Sequence, residues 1–410
     1  MPSLCGPRVA SLYVHVPFCA QKCAYCAFFS ETPTGDLVNR YVAALIRELG
    51  IVSNDLRPST VYFGGGTPSL LNLRQWERVL RAMQRLDLLG AGEWTVECNP
   101  ATVSLDKAKL LRDFGVNRIS MGVQSLNESL LERLGRVHTR RMVFQSFDTL
   151  RRAGYGNVNL DLMFAIPGQT LAVWSATVEE ALALGSEHLS SYEVIYEEDT
   201  PLFAHLRADE SATDEDLSCA MYEEMVGRAT TAGLRQYEVA NFARDTHSDD
   251  KASESSSDGD RVPEPSIKLA RHHPIPTFAC RHNVNYWRGG AFYGLGPSAT
   301  SYVRGVRTKN WSNTRLYCER LEKGLRPIES REQLAPLARA GETAAFGLRM
   351  NAGWRFEEFR RVTGHDLREQ WAQDMSRLAE RGWGCITRDR FQLTGAGLRF
   401  ADAAAELFLR

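Results

Sequence analysis

The sequence has no excess of charge of one sign. Its 410 residues carry 49 Lys and Arg against 50 Asp and Glu, which gives a formal net charge of −1. A chain without a basic surplus has no general attraction to a phosphate backbone. Composition therefore does not require a nucleic-acid partner, and we expect none.

Long apolar runs are also missing. No stretch approaches the roughly 20 apolar residues of a membrane helix, and the amino terminus has no charged segment followed by an apolar one. We therefore expect a cytoplasmic protein. Nine cysteines in a chain without an export signal indicate reduced thiols or metal ligands, and not a disulfide framework.

The most informative motif is a Cys-x-x-x-Cys-x-x-Cys run formed by Cys19, Cys23 and Cys26. Three thiolates on one short loop suit three irons of a four-iron cluster and leave the fourth iron open. Structural zinc prefers four ligands in two separated pairs, and the sequence has no second Cys-x-x-Cys. The spacing favours an iron-sulfur cluster, with zinc or three unligated cysteines as the alternatives.

The first half of the chain predicts a parallel sheet. From residue 11 to about residue 196, short β-branched or aromatic runs alternate with segments of helical periodicity. Six such units are fewer than the eight of a complete barrel, so we predict an α/β fold with an open or partial (β/α)6 barrel. The predicted strands are 12–16, 61–63, 94–97, 118–123, 158–164 and 189–194.

One helix of this region has readable ends. Ser125-Leu126-Asn127-Glu128, after the fourth predicted strand, has the form of a capping box. Gly135 suits the carboxyl-terminal exit of a helix. We therefore predict a helix that begins and ends close to these residues.

The rest of the chain is divided by composition. Residues 248–260 offer little apolar surface and much charge, which predicts a disordered low-complexity insertion over 244–277. Helical spacing from Leu367 to Leu378 and a hairpin at 386–393 predict a small α+β, winged-helix-like domain. The predicted parts are a barrel at 1–240, the insertion, a connection at 278–325 and the carboxyl-terminal domain at 326–410.

Five further motifs, together with the cysteine run, resemble the radical S-adenosylmethionine (SAM) superfamily, in the branch that contains HemN and HemW. The resemblance implies a 4Fe-4S cluster on the three cysteines and a SAM molecule beside it. The motifs are YVHVPFC at 13–19, FGGGTPS at 63–69, ECNP at 97–100, ISMGVQS at 119–125 and DLMFAIPGQ at 161–169.

The same resemblance implies individual roles in SAM binding. Arg136 matches an arginine that pairs with the SAM carboxylate, Asp161 matches a ribose ligand, and Glu97 matches a contact to the amino-acid or ribose portion. Each residue also has a plainer interpretation, such as a tight turn, a core aromatic or a surface arginine. The implied SAM residues are Tyr13, Tyr25, Gly65, Gly66, Thr67, Glu97, Gln124, Arg136 and Asp161.

Two positions separate members of this branch. HemN-type coproporphyrinogen oxidases carry a fourth cysteine two residues after the third, where this chain has Phe28. The run 26–30 resembles HemW, and so does the motif at 282–287, His-Asn-x-x-Tyr-Trp, which HemW proteins use in binding haem. The resemblance therefore implies haem binding through His282, with a hydrogen-bonded structural histidine as the alternative.

The implied function is that of a haem chaperone with a 4Fe-4S cluster and a SAM site. Its partners would be haem, haem-accepting proteins such as respiratory cytochromes, and an electron donor for the cluster. The alternatives are an oxygen-independent coproporphyrinogen III oxidase, disfavoured by Phe28, and a nucleic-acid-modifying radical enzyme, disfavoured by the near-neutral charge. A dimer and a transient membrane contact through partners remain open. Thr300 stands where related proteins usually have His.

Overall fold

The structure is a computed structural model that describes residues 8–198, 200–204, 214–246 and 275–409. Most of the predicted insertion, residues 247–274 with His272 and His273, lies outside the described residues. Within the described ranges, every helix is too short or too polar to cross a membrane.

A nine-stranded sheet is the main feature of the described residues. Its strands are β1 (Val9–Val16), β2 (Leu56–Gly65), β3 (Glu93–Cys98), β4 (Arg118–Gln124), β5 (Val158–Phe164), β6 (His188–Glu193), β7 (Leu234–Glu238), β8 (Asn241–Arg244) and β9 (Tyr293–Leu295). Strands β1 to β6 are parallel and lie in chain order. Strand β9 pairs with β1, and β8 and β7 add antiparallel strands beyond β6. The predicted α/β partial barrel is confirmed.

Helices connect the parallel strands and pack on the sheet. They are α1 (Leu37–Val52), α2 (Leu73–Arg85), α3 (Leu105–Asp113), α4 (Glu128–Arg133), α5 (Arg140–Arg152) and α6 (Leu171–Ala183), followed by α7 (Glu215–Thr231). Large aromatic side chains fill the layer between helices and sheet, and Trp76, Trp94 and Trp174 are fully buried there. Burial of this apolar layer stabilises the sheet and fixes the positions at which its strands end.

All six predicted strands are present, and β5 has the predicted bounds. The largest difference is in β2, which begins at Leu56 and not at residue 61. Its first half, residues 56–60, contains Pro58 and three polar residues, so it lacks the apolar run that indicates a buried strand. Strands β7, β8 and β9 were not predicted because they are only three to five residues long.

The predicted cap of α4 was wrong by two residues. Asn127 is the N-cap, and its side chain accepts a hydrogen bond from the backbone of Leu130. Ser125 instead accepts from the backbone N–H of Asn127, which continues the turn out of β4. The predicted exit is present, since Gly135 has φ +69°.

The elements after the large sheet are short. They are α8 (Arg281–Trp287), β10 (Thr300–Val303), β11 (Val306–Asn310), α9 (Thr314–Glu322), β12 (Ile328–Glu332), α10 (Pro336–Gly347), β13 (Trp354–Arg355), α11 (Phe356–Thr363), α12 (Leu367–Gln370), α13 (Ala372–Glu380), β14 (Gly384–Ile386), β15 (Arg390–Leu393), α14 (Gly395–Arg399) and α15 (Ala401–Glu406). Strands β10, β11 and β12 form one antiparallel sheet. Strands β14 and β15 form the predicted hairpin, to which β13 adds a third strand.

A second hydrophobic core lies in the carboxyl-terminal part. Trp354, Phe359 and Trp371 pack edge to face, with ring centroids 5.4 and 6.0 Å apart. Leu367, Trp371, Met375 and Leu378, the residues whose helical spacing predicted helix here, are buried in it. The domain boundary at residue 326 stays a prediction.

Candidate functional site

The cysteine loop begins directly after β1, at the carboxyl ends of the parallel strands, where α/β folds place their active sites. Backbone hydrogen bonds join the start of the loop to its end: Cys19 N–H donates to Glu31 O at 3.1 Å, and Glu31 N–H donates to Pro17 O at 2.8 Å. Farther along, Ala24 N–H donates to Leu134 O at 3.0 Å. The loop is therefore held against β1 and the end of α4.

A cavity of about 500 Å³ opens beside this loop. Its volume is within the range of small-molecule sites. The structure brings most of the predicted site residues to its wall, which includes Cys19, Cys23, Tyr25, Cys26, Gly65, Gly66, Thr67, Glu97, Gln124, Arg136 and Asp161. Tyr13 and His282 do not line it.

The three cysteines are half-buried free thiols. Arg136 donates from Nη1 to Cys23 Sγ at 3.3 Å and from Nη2 to Gly122 O at 2.7 Å. Thr67 Oγ1 lies 3.6 Å from Cys19 Sγ. Burial raises the pKa of Cys26. The wall thus combines soft sulfur donors with a guanidinium that favours negative charge beside them.

The turn after β2 requires glycine because its backbone lies very close to the segment that leads into the cysteine loop. Gly66 N–H donates to Val16 O at 2.8 Å, and Thr67 N–H donates to Phe18 O at 2.8 Å. A Cβ on Gly66 would lie 2.7 Å from both of these carbonyl oxygens. Gly66 therefore lets the end of β2 pack directly on the chain that enters the cysteine loop.

Glu97 is the most strongly perturbed carboxyl in the cavity wall. Burial raises its pKa to about 7, although the Tyr62 hydroxyl donates to Oε1 at 2.7 Å and opposes the shift. The carboxyl therefore titrates near neutral pH. A ligand that carries a positive charge would favour its ionised form.

Asp161 is held by two donors, one on the neighbouring strand β4 and one on its own strand β5. Ser120 Oγ donates to Oδ2 at 2.9 Å, and Asn159 Nδ2 donates to Oδ1 at 2.8 Å. Burial nevertheless raises the pKa of Asp161. These bonds fix the orientation of the carboxyl toward the cavity, where it is available to hydroxyl donors of a ligand.

Two polar atoms of the wall have no protein partner. Gln124 Oε1 and Arg136 Nε are buried and make no hydrogen bond. Gln124 also has φ +59°, an uncommon conformation for a residue other than glycine. Buried polar groups are normally paired, so a polar ligand bound here would supply the missing partners. Free thiols and unpaired polar atoms in the same cavity wall fit a cysteine-bound cluster with a polar ligand next to it.

Tyr13 does not line the cavity, and its implied place beside SAM stays a prediction. Its hydroxyl is 3.0 Å from His15 Nδ1, and the His15 ring packs so closely on Gly65 that a Cβ there would lie 2.4 Å from it. His15 Nε2 is 2.8 Å from Phe29 O. Tyr13 therefore supports the glycine turn and the cysteine loop from behind.

His282 lies away from the cavity, on α8. Its Nδ1 is 3.0 Å from Thr60 Oγ1 and its Nε2 is 2.8 Å from Tyr286 OH, so both ring nitrogens have partners. The side chain is 1% exposed, and burial lowers its pKa to about 3. Its ring stacks on Tyr62 with centroids 5.2 Å apart. In this conformation, neither nitrogen is available to an iron.

A buried carboxylate fixes the start of α8. Glu93 accepts hydrogen bonds from Arg281 N–H at 2.8 Å and from His282 N–H at 2.9 Å. Cys280 Sγ lies 3.7 Å from Glu93 Oε1. Glu93 is the first residue of β3, so α8 is attached to the end of the sheet opposite the cysteine loop.

Several wall residues were not predicted. They include Phe28, Tyr62, Ser120, Met163, Tyr192 and Ile195. The alternation of side chains along a strand could have indicated Ser120, because Ser120, Gly122 and Gln124 share one face of β4. Exposed residues in loops carry no comparable signal. Thr300 begins β10 and does not line the cavity.

The comparisons with known proteins agree with this geometry. Residues 13–181 match the family model described as the radical SAM superfamily, and residues 334–400 match the HemN C-terminal domain. The chain is 32% identical to "Heme chaperone HemW" of Lactococcus lactis subsp. lactis over 97% of each chain. It is also 32% identical to "Heme chaperone HemW" of Bacillus subtilis over 97% of this chain and 99% of that relative.

A solved structure has the same fold. Coproporphyrinogen III oxidase (HemN) from Escherichia coli, described as a radical SAM enzyme, superposes with a TM-score of 0.79. The match covers 98% of this chain and 91% of that one at 22% identity. At this identity the similarity establishes the arrangement of strands and helices, including the carboxyl-terminal domain.

Proposed function

The chain belongs to the HemW family of the radical SAM superfamily, and on this premise we propose that it binds haem and delivers it to haem-accepting proteins, respiratory cytochromes among them. The observation that carries the proposal is one cavity wall that holds three free thiols together with the polar residues implied to bind SAM. Haem binding is carried over from the two haem chaperones to which the chain is similar over nearly their full length.

We assign a 4Fe-4S cluster to Cys19, Cys23 and Cys26. When bound and reduced by an electron donor, such a cluster supplies single electrons for the cleavage of SAM. The protein's own residues prepare the thiolates. The positive charge of Arg136 lies beside Cys23 Sγ and favours its thiolate form. The turn at Gly66 fixes the chain that enters the loop.

We assign the unpaired and carboxyl groups of the wall to SAM. Glu97 faces the cavity as an acceptor for the amino group, and Asp161 is oriented for the ribose hydroxyls. The free Nε of Arg136 and the free Oε1 of Gln124 provide one further donor and one further acceptor. These four side chains come from different strands and from the turn after α4, so folding alone positions them.

His282 remains a predicted haem ligand, but ligation by this residue would require a change in the structure. Iron ligation requires one ring nitrogen to leave either Thr60 or Tyr286 and to reach solvent. Glu93 holds the helix that would have to move. The low pKa keeps the imidazole neutral, which is the form that binds iron.

The proposal is tested against the oxidase alternative on one sample. Anaerobically reconstituted protein is titrated with haem and then supplied with SAM, a reductant and coproporphyrinogen III. We expect saturable haem binding and no protoporphyrinogen. Formation of protoporphyrinogen without haem binding would replace the chaperone assignment with the oxidase.

A triple variant, Cys19→Ala with Cys23→Ala and Cys26→Ala, controls for the cluster. It should lose iron, sulfide and SAM binding together. Retention of a full cluster in this variant would remove the three cysteines from the assignment.

A further inference from the structure

We propose that the cysteine cavity and α8 are linked sites, so that SAM bound in the cavity opposes haem ligation by His282 and haem ligation opposes SAM binding. The inference rests on the proposed function and concerns the regulation of its two sites. It starts from the position of His282, whose imidazole is 1% exposed and has partners at both ring nitrogens. Ligation therefore requires a second conformation, in which His282 has left this place.

The first connection between the two sites is Tyr62, a residue of β2 that lines the cavity. Its hydroxyl donates to Glu97 Oε1 at 2.7 Å, and its ring stacks on that of His282 with centroids 5.2 Å apart. Departure of His282 removes the packed neighbour that fixes the ring. The position of the hydroxyl against Glu97 is then no longer fixed.

The second connection is a series of hydrogen bonds from Asp161 to the start of α8. Asn159 Nδ2 donates to Asp161 Oδ1 at 2.8 Å, and Asn159 Oδ1 lies 2.6 Å from His188 Nδ1. His188 Nε2 lies 2.9 Å from the Tyr237 hydroxyl, which accepts from the backbone N–H of Cys280 at 3.1 Å. Cys280 is the N-cap residue of α8. A carboxyl of the cavity is thus joined to the residue that begins the helix.

The donors of this series all point the same way. Asn159 Oδ1 can only accept, so His188 carries its proton on Nδ1. Burial holds the pKa of His188 well below its usual value, so the ring is neutral and Nε2 accepts from the Tyr237 hydroxyl. Every proton is therefore directed from α8 toward the Asp161 carboxyl. Hydrogen bonds aligned in this way strengthen one another, so a change at one end affects the other.

These connections give the linkage its sign. With His282 in place, Tyr62 orients Glu97 and the hydrogen-bond series orients Asp161. SAM, as assigned above, contacts both carboxyls, so it binds this conformation more tightly than one in which α8 has moved. A ligand that prefers one conformation shifts the population toward it. Because linked binding is reciprocal, haem ligated by His282 lowers the affinity for SAM by the same factor.

Hydrogen exchange tests the linkage without haem. Cluster-loaded protein is compared with and without saturating SAM, anaerobically and without a reductant, so that SAM stays intact. We expect SAM to slow exchange of the backbone amides of residues 280–287 by about five- to tenfold, a moderate coupling between sites. Tyr62→Phe and Tyr237→Phe each remove one hydroxyl and keep the ring. Each should reduce this factor by about half or more, because each interrupts one connection.

Tyr317→Phe is the matched control. The Tyr317 hydroxyl is also buried and donates at 2.7 Å to a buried carboxyl, Glu48 Oε2. Tyr317 lies on α9, and neither residue lines the cavity. This variant should keep the full effect of SAM. Iron content, circular dichroism and calorimetric SAM titration verify that each variant is folded, loaded and saturated.

Haem titration of the same samples, followed in the Soret region, tests the consequence for the second site. SAM should raise the Kd for haem by about five- to tenfold in the wild type and by a smaller factor in Tyr62→Phe. Direct competition for the cavity gives a different result. It would persist undiminished in Tyr62→Phe and also in His282→Ala, because neither change removes an overlap between the two ligands.

Equal or faster exchange of residues 280–287 with SAM bound would overturn the inference. An undiminished effect of SAM in both Tyr62→Phe and Tyr237→Phe would overturn it as well, since neither connection would then carry the coupling. If SAM slows exchange as expected but the wild type binds no haem, the linkage between the cavity and α8 stands and the proposed function fails.

Discussion

The hydroxyl of Tyr62 donates a 2.7 Å hydrogen bond to Oε1 of Glu97 in the cavity wall. The same ring stacks on that of His282, with centroids 5.2 Å apart. Tyr62 lines the cavity and contacts both a carboxyl of the proposed SAM site and a histidine on α8. One side chain therefore touches both regions that the family resemblance marks as functional.

Glu97 predicts a pH dependence for SAM binding. Its pKa is raised to about 7, so the carboxyl becomes protonated as the pH falls through neutrality and loses its attraction for a ligand cation. We expect SAM affinity, measured by calorimetry on cluster-loaded protein, to fall as the pH is lowered from 8 to 6. Glu97→Gln should abolish this part of the profile and leave only the ligand's own titration.

Tyr62→Phe should move that profile in a known direction. The Tyr62 hydrogen bond stabilises the ionised carboxylate, so its removal raises the pKa of Glu97 further. The midpoint of the SAM profile should therefore shift to higher pH. A shift to lower pH, or none, would show that Tyr62 does not tune this carboxyl.

Arg136 should not be replaceable by lysine. The guanidinium donates to Cys23 Sγ and to Gly122 O and still has Nε free for a ligand, an arrangement that a single ammonium cannot reproduce. We expect Arg136→Lys to weaken SAM binding by about tenfold to a hundredfold, the value of one charged hydrogen bond. Arg133→Lys, an exposed change outside the cavity, is the control and should have no effect.

Gly66→Ala should displace the cysteine loop. The added Cβ would lie 2.7 Å from the carbonyl oxygens of Val16 and Phe18, both of which are backbone atoms that cannot turn aside. We expect reduced iron incorporation on reconstitution, measured as iron per chain. Gly50→Ala is the control, since its Cβ would meet nothing within 4 Å and a helical alanine should stabilise the fold by about 0.5–1 kcal/mol.

Glu93→Ala should destabilise the attachment of α8. Two backbone N–H groups would lose their acceptor in a buried position, which costs about 2–4 kcal/mol in the free energy of unfolding. Urea unfolding measures the loss. Glu77→Ala, which removes only an exposed pair with Arg81, should cost less than about 0.5 kcal/mol. Equal costs for the two variants would mean that Glu93 does not anchor this helix.

The parts of the fold that were predictable have strong local signals. Strand β5 was predicted to the residue because it is a mainly apolar run, and one of its two polar residues, Asp161, lines the cavity. Cys19, Cys23 and Cys26 were predictable from spacing and resemblance. The N-cap at Asn127 was missed because Ser125, two positions earlier, is also a residue type that commonly caps helices.

The remaining features depend on contacts between distant parts of the chain. Tyr13 has the family motif around it, yet its hydroxyl reaches His15 and not the cavity. The burial of His282 depends on Thr60 and Glu93, which lie far from it in the sequence. The exposure of Phe28 is likewise a tertiary property, since an aromatic residue is ordinarily predicted to be buried.

The central claim is that this chain is a haem-binding protein built around a cysteine-bound cluster, and haem titration of the anaerobically reconstituted wild-type protein tests it most directly. The account predicts a saturable Soret change with one haem per chain in protein that also contains a 4Fe-4S cluster. A sample with a full cluster and no saturable haem binding would contradict the claim.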